Sequence, residues 1–422
     1  MTAVDAARLQ FALLAGIHFL FVLVTLGLGP VVAIFQTRWA CTGREVFERA
    51  TRFWGQLYLI NYALGIAAGI VLELQLGLHF PGLLDVAGGV FGAPLVIETM
   101  AAFFLESTFL GLWVFGWHVL PRAVHTAVFW LVVLTGYLSA FTVMVANGFL
   151  RNPVGFELVD GVARITDARA LIMNPAAFLS SMHVLGACLV AGGFLLVGVG
   201  AWHLRRSSSR LPAVVDAGLP GDAMSQENAL WRLSVRSGIV TGTVGAVLAA
   251  GFGFAQFSYV DAEASTSQAP AVVGSAYALM IAFANVVTLG GLVLLMLLAG
   301  NALFRMRRGV RNGLYSVLTF LLPAPFVVGI LGWVAREVGR QPWAIAGVLR
   351  TEDAVGDASL TAVVTSLVVL VGTMLALAVA DWTVLTRLAR RGDARLVLGA
   401  PPSEVLSGAA EPEPVLTFGG VR

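Results

Sequence analysis

Nine long apolar runs, each bounded by charge, glycine or proline, leave this chain few folds to choose from. They lie at about 9–36, 54–77, 94–118, 124–147, 178–203, 233–257, 276–303, 314–338 and 359–386. A bilayer core ~30 Å thick takes roughly 20 apolar residues per helical crossing, and every run is long enough. In lipid each backbone N–H and C=O has to be satisfied within its own segment, so runs of this kind form helices. Only 12% of the 422 residues are charged and 58% are apolar, about half the charged share of a soluble domain. The expected fold is all-α, a polytopic membrane helical bundle of nine transmembrane helices over 1–391. A disordered tail is expected over 392–422, where Pro401–Pro402 and Glu411-Pro412-Glu413-Pro414 stand.

The first run begins near Leu9 without a basic n-region or a cleavage motif, so it is expected to stay as a helix rather than serve as a signal peptide. Cys41 falls in a loop and Cys188 within a span, at different levels, which disfavours a disulfide. No C-x-x-C-H signals covalent haem. All 26 basic residues are Arg, and they sit in inter-helix connections rather than in one patch, which argues against nucleic acid. The connections after spans 1, 3, 5 and 7, together with the tail, hold 19 of them, including Arg38, Arg44, Arg49, Arg52, Arg205, Arg206, Arg305, Arg307, Arg308, Arg311, Arg387, Arg390, Arg391 and Arg395; the other side holds seven. The positive-inside rule then puts the N-terminus outside and the C-terminus in the cytoplasm of a bacterial-type cell membrane. No internal repeat is visible, and an odd helix count speaks against the paired halves of secondary transporters.

Ionisable groups inside a bilayer are costly and usually functional. The set here is His18, Glu73, Glu98, Glu106 and His183, with Arg336, Glu337 and Arg340 at the end of the eighth span. The orientation above brings all of them into the outer half, with Glu106 about 12 Å deeper than Glu98 at 1.5 Å per residue. Imidazoles and carboxylates in one layer suit metal ligation or proton relay. Haem answers well to an axial His, a slot between helices, and Arg336 or Arg340 beside its propionates. Zinc is disfavoured, since no H-x-x-E-H or Cys/His cluster occurs. Glu73 and Arg336 are equally well explained as interfacial. His79, His118, His125 and His203 lie at span ends or in loops and are expected to be solvated.

The run Gly332-Trp333-Val334-Ala335-Arg336-Glu337-Val338-Gly339-Arg340-Gln341-Pro342-Trp343 resembles the G-W-x-x-x-E-x-G-R-Q-P-W signature of cytochrome bd oxidase subunit I. Arg8-Leu9-Gln10-Phe11 with His18-Phe19-Leu20-Phe21 resembles that family's first helix. Gly92-Ala93-Pro94 through Glu98, then Phe103-Phe104-Leu105-Glu106-Ser107-Thr108-Phe109, resembles its third. Ala146-Asn147-Gly148, Asn152-Pro153-Val154-Gly155 and Asn174-Pro175 before His183 resemble the fourth and fifth. The likeness covers about 1–205 and 314–360 and implies the haem-bearing subunit of a terminal oxidase that oxidises quinol and reduces O₂ to water. It implies haem b together with haem d or a second high-spin haem b, and a second membrane subunit alongside. By the same resemblance His18 is an axial ligand at the oxygen-reducing site, which Glu98, Glu106 and Glu337 serve as ligands or proton carriers. His183 is then an axial ligand of a low-spin haem b, Ser107 and Ser139 lie on a proton path from the cytoplasm, and Trp333, Arg336 and Arg340 lie within the signature at the haem site.

Two stretches depart from the family pattern. Its seventh helix carries an R-x-M whose Met is the low-spin haem's second ligand; here the register gives Asn285 and Val287, with Met280 seven residues earlier. Its long outer loop with Q-x-x-K-x-x-x-x-E, which handles quinol, is here about 258–275, with Asp261, Glu263 and Gln268 but no Lys. A quinol oxidase subunit, a haem-binding relative with another electron donor, and a haem-free proton transporter all remain open on the sequence.

Overall fold

The computed structural model describes residues 2–216, 221–257, 269–393 and 396–400. Among these, nine helices are long and apolar enough to cross a membrane. They are α1 (Ala3–Thr42), α2 (Glu45–His79), a composite third span, α5 (Arg122–Arg151), α7 (Pro175–Asp216), α8 (Gly221–Phe254), α9 (Pro270–Ala299), a broken eighth span and α14 (Leu360–Arg391). Thr2 opens α1 with a capping box against Asp5, and Gly43, left-handed at φ 64°, returns its N–H to the Trp39 carbonyl, so the helix starts and stops on local chemistry.

The composite span begins before the apolar run. α3 (Pro81–Thr99) is followed by a π-helical turn, Met100–Glu106, and by α4 (Ser107–Phe115). Pro81 at its N-terminus lacks the amide hydrogen that a helix start leaves unpaired anyway. The eighth span is α11 (Arg308–Phe320) followed by α12 (Ala324–Gly339); Pro323 and Pro325 account for the break. Short helices α6 (Ala168–Ile172), α10 (Ala302–Arg305) and α13 (Thr351–Ala354) lie in connections.

The bundle also carries two antiparallel ribbons that the all-helical expectation lacks. These are β1 (Phe156–Val159) with β2 (Val162–Ile165), and β3 (Trp343–Ile345) with β4 (Leu349–Arg350). Asp160 and Gly161 turn the first at φ 53° and 80°, as a two-residue hairpin requires. Both ribbons sit at the end of the bundle where α1 begins, called here the N-terminal face; α14 ends at the opposite, C-terminal face.

Small residues set the closest approaches. A Cβ on Gly192 would lie 2.5 Å from the Gly27 carbonyl carbon, and one on Gly193 would lie 2.5 Å from the Gly242 nitrogen. A Cβ on Gly245 would lie 2.6 Å from the Gly186 carbonyl. The Gly242–Gly245 and Gly65–Gly69 stretches are thus spent on contacts within the chain, since Gly65 and Gly69 face Phe21 and His18. Packing in lipid relies on such approaches.

The C-terminal half holds a dense aromatic core of Trp39, Trp54, Trp113, Trp117, Phe129 and Trp231. Three histidines expected at solvated ends are instead buried. His125 bridges Gln36 and the Trp113 carbonyl, His203 stacks on Trp231 at 3.7 Å, and His79 meets Ser366. Helices that run past the apolar stretch carry these residues inward, and a buried ring nitrogen needs a partner. Within the expected tail, the Val397 and Leu398 amides donate to Gln56, and Asp393 pairs with Arg49 at 2.5 Å. That stretch belongs to the packed body; 394–395 and 401–422 lie outside the described residues.

Candidate functional site

α1 and α2 set the first element of the site. His18 on α1 faces Gly69 on α2, where a Cβ would lie 3.3 Å from the His18 Cε1. Its Nδ1 is closed off from solvent and has no hydrogen-bond partner among the described residues. Four residues after Gly69, on the same helical face, Glu73 accepts at 3.1 Å from Thr99, the residue next to Glu98.

Glu98 in turn accepts from Ser139 on α5 at 3.2 Å. Three residues before Ser139, Gly136 opens a space in which a Cβ would lie 3.4 Å from Glu106 Oε1 and 3.9 Å from Leu26 on α1. Glu106 is 4% exposed, and its Oε1 has no partner among the described residues. It ends the π-helical turn Met100–Glu106, a feature that inserts an extra residue per turn and re-aims the side chains beyond it. The groups thus fall into three neighbouring sets across α1, α2, α3 and α5: His18 against Gly69, Glu73 and Glu98 with Thr99 and Ser139, and Glu106 facing Gly136. Ser107 is exposed on α4 and does not join it.

α12 closes the other side of α1. Trp333 Nε1 donates to the Ala12 carbonyl at 2.8 Å and packs against Gly16. Arg336 donates to Asn147 on α5 at 2.8 Å. Arg340 pairs with Glu337 at 2.7 Å, its guanidinium lies 5.6 Å from the Phe11 ring centre, and its Nε is buried without a partner among the described residues. The signature run therefore bridges α1 and α5, beside the carboxylate series.

His183 stands apart on α7. Its Nδ1 donates to the Ala249 carbonyl of α8 at 2.8 Å, which leaves Nε2 with the lone pair. Gly253 makes room for the ring, since a Cβ there would sit 3.0 Å from Nδ1. On α9, Asn285 is exposed and Val287 half-buried, while Met280 packs its sulfur where a Cβ on Gly332 would be, at 2.9 Å. Asp261, Glu263 and Gln268 lie outside the described residues.

Two polar groups escape the sequence argument. Asp381 on α14 is 1% exposed and Asn61 on α2 is fully buried. The signal for Asp381 was present as one charge between the apolar stretches Leu375–Ala380 and Trp382–Leu385; Asn61 is uncharged and offers no comparable mark.

The sequence matches the family Cytochrome bd terminal oxidase subunit I over residues 6–271 and 263–393. It is 30% identical over 411 residues to the cytochrome bd ubiquinol oxidase subunit 1 of Bacillus subtilis, covering 84% of this chain and 86% of that one. It is 41% identical over 209 residues to the cytochrome bd-II ubiquinol oxidase subunit 1 of Escherichia coli, covering 49% of this chain and 41% of that one. The fold matches the structure of bd oxidase from Geobacillus thermodenitrificans with a TM-score of 0.74 at 22% identity, over 92% of this chain and 98% of that one. The chain belongs to the cytochrome bd terminal oxidase subunit I family, membrane oxidoreductases of the respiratory chain.

Proposed function

We propose that this chain is the haem-bearing subunit of a quinol-oxidising, O₂-reducing membrane complex, with its N-terminal face outside the cell and its C-terminal face in the cytoplasm. The observation that carries this reading is the placing of His18, buried and with a ring nitrogen lacking a partner among the described residues, against Gly69 one α2 turn from the Glu73–Thr99 pair, next to the Glu98–Ser139 pair and with buried Glu106 facing Gly136 on the helix of Ser139. The orientation rests on the Arg distribution.

The residues fit haem. No three His, Cys, Asp or Glu side chains among the described residues converge to hold a bare metal ion, so iron at these imidazoles needs the four nitrogens a porphyrin brings. His18 offers an unpartnered buried ring nitrogen. His183 has its Nδ1–H fixed by the Ala249 carbonyl, the arrangement that orients ligating imidazoles. Arg340 Nε is an unsatisfied donor beside the site and suits a propionate.

Haem iron supplies one-electron chemistry and a place for O₂ to bind. His18 and His183 are the proposed ligands, with Glu337 as a further ligand or proton carrier and Trp333 and Arg336 bracing the site. Glu106 takes up protons that originate in the cytoplasm and Glu98 passes them on, with Ser139 orienting it; Ser107, outside that set but next to Glu106 in the chain, is assigned to the entry of the path by the family resemblance alone. Haem b, with haem d or a second haem b, and a neighbouring second subunit complete the proposal. Lipid or that subunit would cover exposed side chains such as Val286, Leu289 and Met296 on α9.

The short loop over 258–275 without Lys favours one second reading, in which the donor is not a quinol. Reduced-minus-oxidised visible spectra of purified membranes should show haem; a featureless spectrum refutes both readings. Quinol-driven O₂ uptake decides between them.

A further inference from the structure

A cavity of about 330 Å³ lies in the C-terminal half, lined by Val24 and Leu28 of α1, Leu57 of α2 and Leu385 of α14 among others. Thr386 and Arg390 also line it and are exposed, so it opens toward that face. Toward the N-terminal face the same three helices close again in an apolar cluster of Phe21, Leu64 and Ala378. Between cavity and cluster each helix contributes polar groups. Asn61 on α2 donates to the Phe21 carbonyl and to Thr25 Oγ1 of α1, at 3.0 and 2.8 Å. Asp381 on α14 falls one turn from Leu385 on the same buried stripe, about 6 Å along the axis.

Both Asp381 carboxylate oxygens and Asn61 Oδ1 are buried without a hydrogen-bond partner among the described residues. A buried carboxylate without a counter-ion is unfavourable within a membrane span, whereas the protonated acid brings no charge into the bundle. An acid one turn beyond the cavity-lining Leu385 is poorly explained by packing, because the isosteric neutral Asn would serve better there. The cavity is separate from the Glu106 series, which approaches α1 from the α5 side at Leu26.

We infer that Asp381 is a second proton-loading group, fed by water through the cavity mouth at Thr386 and Arg390 and relaying protons outward past Asn61 and Thr25. In each cycle Asp381 gives up its O–H proton toward the oxygen-reducing layer and regains one from cavity water; no electron moves at this residue. Gly69, beside His18, lies eight residues beyond Asn61, about 12 Å further along α2, a distance that a short chain of waters spans. The inference rests on the oxidase reading above.

The test uses the purified, haem-loaded complex. Redox-difference infrared spectra in H₂O and D₂O should contain an exchangeable carboxylic-acid C=O band that Asp381→Asn removes and Asp381→Glu shifts. Asp381→Asn should slow O₂ uptake about tenfold or more, and Asp381→Glu should restore most of it. Thr386→Phe, at an exposed position, should keep the band but slow its deuterium exchange. A band set unchanged in Asp381→Asn, or exchange unaffected by Thr386→Phe, overturns the inference even where O₂ uptake falls. If the Asn variant fails to fold, the Glu and Phe variants still decide. A wild-type complex without haem bands or O₂ uptake sinks the oxidase reading instead, whereas loss of the inference alone leaves both in place.

Discussion

Gly69 and His18 meet across the α1–α2 contact so closely that a methyl group at 69 would lie 3.3 Å from the imidazole Cε1. The ring's position is therefore set by the absence of a side chain on the neighbouring helix. The one-turn neighbour of Gly69 is Glu73, which accepts from Thr99 beside Glu98, so α2 sets the imidazole and the Glu73 carboxylate one turn apart.

Gly69→Leu should therefore displace His18 without adding charge. The expected outcome is loss of the high-spin haem's CO-difference signal and at least about a tenfold drop in O₂ reduction, equivalent to ~1.4 kcal/mol of barrier. Gly69→Ala, which asks the ring to move by only tenths of an ångström, should keep most of both. His18→Ala should abolish O₂ reduction, and full activity in that variant would refute the role given to His18.

The proposed low-spin centre at His183 is probed at Gly253. Its would-be Cβ is 3.0 Å from the His183 Nδ1 that donates to Ala249. Gly253→Val should push the ring off that carbonyl and erase the low-spin α-band while sparing the high-spin signal. Met280, packed at Gly332, is the natural test of a sixth ligand, because Val287 has no donor atom. Met280→Leu should convert the His183 haem to a high-spin spectrum if the sulfur binds iron, and an unaltered α-band excludes it.

The helices were readable because lipid leaves an apolar run no other backbone solution, and Trp333 to Arg340 were readable as an unbroken motif. What hydropathy does not carry is where side chains meet across helices. Glu73 is as polar at an interface as it is beside Glu98, and only the α2–α3 contact distinguishes the two. His125 and His203 look like end-of-span residues, yet α5 and α7 extend far enough to bury them among tryptophans. The helical stretch over 81–93 precedes the apolar run, and the π-helical turn ending at Glu106 obeys no pattern in residue type. Asp381 was legible as an isolated charge, but its lack of a partner among the described residues was not.

The Gln36 side chain offers a prediction far from the haem layer. Its amide meets His125 Nδ1 at 2.9 Å and accepts from Trp113 Nε1 at 2.8 Å, all three buried. Gln36→Leu keeps the volume and orphans both partners, each at ~1–3 kcal/mol. The thermal midpoint should fall by several degrees while the haem spectra of the surviving protein stay unchanged. A spectral change would mean that this network reaches the cofactor.

Glycines set the contact between α7 and α8. Gly193 and Gly242 bring the two backbones together, with a Cβ on Gly193 meeting the Gly242 nitrogen at 2.5 Å and the Gly242 Cα at 2.6 Å. Gly186 repeats the arrangement, since a Cβ there meets Ala249 nitrogen at 2.4 Å. Backbone cannot swing aside as a side-chain tip can, so Gly193→Ala has to part the helices, at a cost of ~1–3 kcal/mol as for other overpacked sites. Ala249, two turns along α8 from Gly242, is also the residue whose carbonyl holds His183. Parting the helices at 193 should thus lower the thermal midpoint, and Gly186→Ala, nearer to His183, should additionally shift or broaden the low-spin α-band. Equal spectra for the two variants would show that the helix contact and the imidazole's seat are mechanically independent.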